Sequence, residues 1–395
     1  MGKKGLLGGI SSQVYALGAV SFFTDVSSEM IFPLLPLFLT TFLGAGKEVI
    51  GLIEGVADSS ASLLEIFFGY WSDKAGQRKK FVLGGYGLSA LLKVGIAVAT
   101  SWPQVLVFRG LERIGKSIRT SPRDAIIAAA TPKEVRGKAF GLHRAMDTLG
   151  AIAGPALAFG VLALFGTGEA GYRSVFYLAL IPAAVAVGLV LLIVREPKAK
   201  EAPLAVKRKG FWESLKGLGG DYKKFVLVSC FFSLSYFSFA LLIVRAAEIG
   251  VRTEEILLMY IFYNVVYALA SVPGGALSDV VGRKPVIAAS FLLYALVLLG
   301  FAFASSFWAV ALLFALYAVF VALDESVNKA YVADMVGDEK RGMALGAYNT
   351  AVGAAYLPAS VAVGVLWAAF GAPVAFGAAA AVACVSAAAL YACCR

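Results

Sequence analysis

Of the 395 residues, 60% are hydrophobic and only 15% are charged, and the mean hydropathy is +0.81. Soluble domains carry about 25% charged residues and less apolar mass, so composition excludes an ordinary soluble enzyme or binding module. The net charge of +10 collects in loops between long apolar blocks, which fits the positive-inside rule of membrane proteins and argues against a nucleic-acid surface.

Each block is long enough to cross a bilayer of ~30 Å. Runs of about 20 residues rich in Ala, Leu, Val and Gly point to helices, whereas barrel strands alternate over about 10. The first block, residues 13–42, contains FFTDVSSEMIFPLLPLF. Its Asp25 and Glu29 share a helix face with Ser21 and Ser28, and Pro33 and Pro36 bend its outer end. The second, residues 49–71, carries Glu54, Asp58 and Glu65; blocks at 81–100, 103–130, 139–165 and 175–194 follow.

Composition then changes. Residues 195–224 are polar and basic with Pro197 and Pro203, the signature of a linker. Within it GFWESLKGL (210–218) reads as a short amphipathic surface helix. Six more blocks run over 225–248, 255–277, 286–305, 308–335, 343–370 and 373–394. The expected architecture is an all-α membrane protein of about twelve spans: a six-helix bundle over 1–194, a cytoplasmic linker over 195–224 and a second six-helix bundle over 225–395. Alternate loops hold about two dozen Lys and Arg, against about three (Lys47, Arg173, Arg252) in the others, which places both termini in the cytoplasm. After Lys3 and Lys4 the apolar segment runs past Leu39, too long for a cleaved signal peptide.

The fourth block holds FRGLERIGKSIRTSPRD. On a helix Arg109, Glu112, Arg113, Lys116, Arg119, Arg123 and Asp124 fall within an arc of roughly 140°. Charges at membrane depth are costly and face water or a partner helix, so this ladder is a candidate wall of a transport pathway. A carboxyl taken out of water holds its proton more firmly; Asp25 and Glu29 are the leading proton-exchange candidates, with Glu112 third, unless Arg109 or Arg113 neutralises them. His143, Arg144 and Asp147 form another polar group, and Asn264, Tyr348 and Asn349 complete the expected pathway. Tyr236, Phe237, Phe239, Tyr260, Tyr263 and Tyr267 make spans seven and eight aromatic, which suits either amphipathic organic substrates or plain packing.

The cysteines, Cys230, Cys384, Cys393 and Cys394, show no CxxC or Cys/His spacing, and His143 is the sole histidine. No metal site, cofactor or hydrolytic constellation is expected. No GxxxxGK[ST] loop exists for a nucleotide, so the chain is not expected to be an enzyme.

The halves repeat. GYWSDKAGQRK (69–79) recurs as GALSDVVGRKP (275–285), and VRGKAFGLHRA (135–145) as KRGMALGAYNT (340–350). Parallel repeats of six spans imply two bundles with a substrate site near the membrane midplane. The chain resembles the major facilitator superfamily over essentially its full length. Gly69, Asp73, Lys74, Gly76, Arg78 and Lys79 match its loop signature, with Gln77 where a basic residue is usual; Gly275, Asp279, Gly282, Arg283 and Lys284 match it again, with Val280 at a usually basic position. Glycine permits the tight turn, and the charges suit helix ends that break and reform contacts as the bundles rock. Arg109, Glu112 and Gly115 resemble the superfamily's fourth-span motif, with Arg113 where glycine is usual. Gly150, Gly154 and Pro155 resemble its antiporter motif, although Ala158 and Phe159 replace the final glycines; such spacing also serves simple close packing.

The resemblance implies alternating access, powered by a proton gradient without a cofactor. Expected is export of a small anionic, zwitterionic or amphipathic organic molecule by a monomer in the plasma (inner) membrane, with lipid but no nucleic acid as partner. The repeat aligns Arg119 with Asp324 and Arg123 with Asn328, so Arg119 and Arg123 are expected to pair with Asp324 or Glu325 when the inner gate is shut. Pairing within each helix, Arg123 with Asp124 and Glu325 with Lys329, is the alternative. A divalent-metal exporter using Asp25 and Glu29 as oxygen ligands and a non-transporting sensor or scaffold are the other readings; the nearby arginines disfavour the first and the duplicated loops the second.

Overall fold

The computed structural model describes residues 10–132, 135–196, 219–336 and 341–393, and among them it contains helices and turns but no strand. The helices are α1 (Ser12–Ile31), α2 (Leu35–Thr41), α3 (Lys47–Ala75), α4 (Arg78–Val98), α5 (Trp102–Ala129), α6 (Arg136–Phe165), α7 (Glu169–Leu178) and α8 (Leu180–Leu192). After the linker come α9 (Gly220–Ser233), α10 (Phe239–Glu248), α11 (Thr253–Val281), α12 (Arg283–Phe303), α13 (Phe307–Asp334), α14 (Arg341–Phe370) and α15 (Ala372–Cys393). The expected surface helix at 210–218, the lysines at 3 and 4, Lys133, Lys340, Cys394 and most of the linker lie outside the described residues.

Nine described segments are long and apolar enough to cross a membrane. The remaining three crossings are α3 and α5, whose ionisable residues lower their hydropathy, and the interrupted pair α9–α10. The protein is therefore an all-α membrane protein of twelve spans in two six-helix bundles. Its outward side chains agree with lipid contact: Leu164, Leu192, Val280 and Trp308 are almost fully exposed.

Three spans are interrupted, the first at a proline and the seventh at a run of serines. Pro33 lacks an N–H and crowds the preceding turn, so the first span stops at Ile31 and resumes at Leu35. The sixth starts earlier than its hydropathy implies, at Glu169, and is interrupted at Ala179. The seventh, read from sequence as continuous over 225–248, is interrupted between Ser233 and Phe239. Serines there compete for backbone groups. Ser235 donates to the Phe232 carbonyl at 2.6 Å, and Ser238 accepts from the Ala240 N–H at 3.4 Å as the cap of α10.

The chain divides into two compact units, Met1–Phe38 with Leu64–Ala202, and Leu39–Leu63 with Pro203–Arg395. In the first, Leu17 and Val20 of α1, Val82 and Tyr86 of α4, Ile126 of α5 and Val190 of α8 form one apolar core. In the second, Phe232 stacks on Phe291 at 3.7 Å between ring centres, with Tyr294 and Phe320 around them. The first part of α3 packs within the second unit. There the Ser59 hydroxyl donates to the Gly353 carbonyl at 2.8 Å and accepts from the Leu357 N–H at 2.9 Å. Those two backbone groups are an i→i−4 pair of α14, so a side chain of α3 bridges the helical ladder one residue before Pro358.

Candidate functional site

The first unit buries a charged cluster. Helices α4 and α5 approach closely because Gly85 and Gly115 lie against each other: a Cβ on Gly115 would stand 2.5 Å from Ser89 Oγ and 2.8 Å from the Gly85 carbonyl. That contact lets Ser89 donate to the Glu112 carbonyl at 3.0 Å and accept from Arg119 at 2.6 Å. Arg119 also lies over the Tyr86 ring at 4.5 Å. One turn away Arg109 pairs with Glu112 at 3.1 Å, with both residues under 5% exposed. Arg113, Lys93 and Arg119 also lie within electrostatic reach of Glu112, so with Arg109 four cations converge on this carboxylate.

Lys93 is the residue that sequence reading missed. It is 3% exposed and donates to Ser27 Oγ at 2.8 Å and Ser28 Oγ at 3.0 Å. The signal was present: one lysine within the apolar run of α4, five residues before its end. Its bonds set it between Asp25 and Glu29 in the α1 sequence, and Asp25 is within electrostatic reach of it. Asp25 is also within reach of Asp147, Glu29, Lys116 and Arg119.

Helix α6 holds the acidic face of α1 in place. A Cβ on Gly150 would lie 2.9 Å from Asp25 Cβ, and one on Gly154 2.9 Å from Glu29 Cβ. The four-residue glycine spacing is thus in register with the four-residue acidic spacing, and Pro155 is buried beside it. On α6, His143 Nδ1 stands 3.6 Å from Asp147, while Arg144 points to an exposed position. Arg123 pairs with Asp124 at 2.9 Å and reaches Ser21 at 3.5 Å. Lys116 is exposed.

The repeated loops match in geometry. Gly76 (φ +62°) and Gly282 (φ +100°) both adopt the left-handed conformation that favours glycine. Ser72 bonds the Gly69 carbonyl and Ser278 the Gly275 carbonyl. Asp73 pairs with Arg78 at 2.8 Å, and Asp279 with Arg283 at 2.6 Å. Arg283 also holds Asp334 at 3.1 Å, Lys79 donates to the Leu191 carbonyl at 3.0 Å, and Lys284 lies over Tyr391. Glu196, unremarked in the sequence, accepts from the Arg78 and Lys79 N–H groups at 2.9 and 2.7 Å, capping α4. Replacing Glu196 with Ala is expected to destabilise the protein by about 0.5–2 kcal/mol, the usual cost of a lost N-terminal cap, read from the unfolding midpoint in detergent.

In the second unit Asp324 accepts from Asn328 Nδ2 at 2.7 Å, and Glu325 accepts from the Tyr267 hydroxyl at 2.7 Å. Asn264 donates to the Tyr260 carbonyl of its own helix. Tyr348 is buried and stacks on Phe225, whereas Asn349 is exposed. Tyr236, Tyr263, Tyr317 and Tyr356 belong to a connected set of rings. Among the described residues no three His, Cys, Asp or Glu side chains are grouped to hold a metal ion.

The model of the Major Facilitator Superfamily matches residues 17–243 and 224–394. An uncharacterized MFS-type transporter of Methanocaldococcus jannaschii is 41% identical over 367 residues, 91% of this chain and 89% of that protein. The multidrug resistance protein MdtG of Dickeya zeae is 23% identical over 312 residues, 74% and 72% of the two chains. Among solved structures, a nucleoside transporter superposes with a TM-score of 0.80 at 14% identity, covering 97% of this chain and all of that one. A D-xylose–proton symporter superposes with a TM-score of 0.76 at 18% identity, covering 97% of each chain.

Proposed function

Because this chain belongs to the major facilitator superfamily of membrane transporters, we propose that it is a proton-coupled exporter of small organic molecules bearing a carboxylate, working by alternating access. The observation that carries this reading is the register of α1 against α6: the glycines of the antiporter-like motif meet the backbone beside the two span-one carboxylates. Asp25 and Glu29 are the proton-exchanging groups. Lys93, Arg109, Arg113 and Arg119 supply the positive field that attracts an organic anion. A buried cluster in which cations outnumber carboxylates disfavours a divalent metal as cargo. The distant multidrug relative and the proton-coupled structural neighbour are compatible with export and with coupling. The protein works as a monomer in the plasma (inner) membrane with both termini in the cytoplasm.

The test uses inside-out vesicles from cells expressing the chain, energised so that the lumen is acid. A panel of small carboxylates and zwitterions is added, and the gradient is followed with acridine orange. At least one compound is expected to dissipate the gradient by driving protons out of the lumen, and Asp25→Asn is expected to reduce that response at least tenfold. A panel that acts equally on vesicles lacking the protein overturns the reading.

A further inference from the structure

We propose that the second unit carries a recognition site for an organic ammonium group, formed by Asp324, Asp58, Asn328 and the rings of Tyr236 and Tyr356. The inference rests on the transport reading for its role, and it completes the substrate as a zwitterion or amine-bearing molecule. Asp324 lies on α13, one turn from Asn328. Asn328 gives one amide hydrogen to Asp324 and is 4% exposed, yet its Oδ1 has no hydrogen-bond partner among the described residues. A buried acceptor without a donor is costly, and here it sits beside a carboxylate, so the missing group is a donor.

The neighbours have the same polarity. Tyr356 of α14 lies within electrostatic reach of Asp324, Asp58 and Glu325. The Ser59 bridge fixes the relation of α3 to α14 at the residues adjoining Asp58 and Tyr356. The Tyr236 ring lies 5.6 Å from that of Tyr356 and 5.7 Å from that of Phe320, at the interruption between α9 and α10. Lys329 also bears on Asp324, but its side chain is exposed. Carboxylates, an amide oxygen and aromatic faces all attract a cation, and aromatic faces favour alkylated ammonium in particular. The same groups repel an anion. This chemistry is opposite in sign to that of the first unit, where arginine and lysine predominate around Glu112.

The experiment is equilibrium dialysis of tritiated benzyltrimethylammonium against the purified full-length protein in detergent, with no pH gradient. Saturable binding is expected, with no competition from the uncharged isostere neopentylbenzene. Asp324→Asn is expected to weaken it at least tenfold and Tyr356→Leu at least threefold, while Asp324→Glu retains most of it. Thermal unfolding of each variant accompanies the measurement; if Asp324→Asn unfolds early, Tyr356→Leu and Asp324→Glu decide. Absence of saturable binding to the wild type overturns the proposal. So does equal affinity in variants that unfold at the wild-type temperature. The readout needs no proton movement, so it stands or falls separately from the proton coupling proposed above.

Discussion

Glu112→Gln is expected to destabilise the protein by about 3–5 kcal/mol, the cost of removing one partner from a buried ion pair. Unfolding by SDS titration in mixed micelles measures it. The substitution keeps the shape of the side chain and removes only the charge. Arg109 then loses its ion pair with Glu112 at 3.1 Å, and Arg113, Lys93 and Arg119 lose a shared counter-charge. The reciprocal change, Arg109→Gln, leaves the carboxylate with three cations still in reach, so its cost is expected to be smaller by about 1 kcal/mol or more, the worth of one charge-assisted contact. The order of the two variants is the test. If Arg109→Gln proves the more damaging, Glu112 is not the common counter-charge of the cluster.

Gly154→Leu is expected to cost about 1–3 kcal/mol through overpacking and to lower transport at least tenfold. A Cβ at that position would stand 2.7 Å from the Val26 carbonyl oxygen and 2.9 Å from Glu29 Cβ. The obstacle includes backbone, which cannot swing aside as a flexible side chain does, so α1 must move away from α6. That displacement carries Glu29 with it. Gly160, on the same helix, has nothing within 4 Å of an added Cβ. Gly160→Ala is therefore expected to be neutral, or to stabilise by about 0.5–1 kcal/mol from helix propensity. Thermal unfolding and the vesicle assay read both variants. Equal effects at the two glycines would mean that close approach to α1 is not what position 154 provides.

The fold was legible because lipid permits so few solutions. Apolar blocks of span length, interrupted by basic loops, define the twelve crossings, and the repeated loops with Gly76 and Gly282 mark the halves. The breaks in the sixth and seventh spans were not legible. Hydropathy is blind to the serine bonds that interrupt the seventh span between Ser233 and Phe239, and to the turn at Ala179. At the site, the α5 ladder and the α1 acids could be read from helical periodicity. Lys93 was overlooked because one charge in an apolar helix forms no motif. Glu196 was overlooked because capping depends on three-dimensional proximity across more than a hundred residues. The pairing of Arg123 with Asp124 follows from adjacency alone, whereas the bridge made by Ser59 across α14 has no signature in either segment.

The most direct measurement compares two modes of transport in proteoliposomes for whichever labelled substrate the vesicle screen identifies. One mode is exchange of labelled for unlabelled substrate with no gradient, which needs binding and rocking but no net proton movement. The other is uphill accumulation driven by an imposed pH gradient. Asp25→Asn is expected to keep the exchange and lose the accumulation. Accumulation at the wild-type rate in Asp25→Asn combined with Glu29→Gln would contradict the assignment of proton coupling to the acidic face of α1.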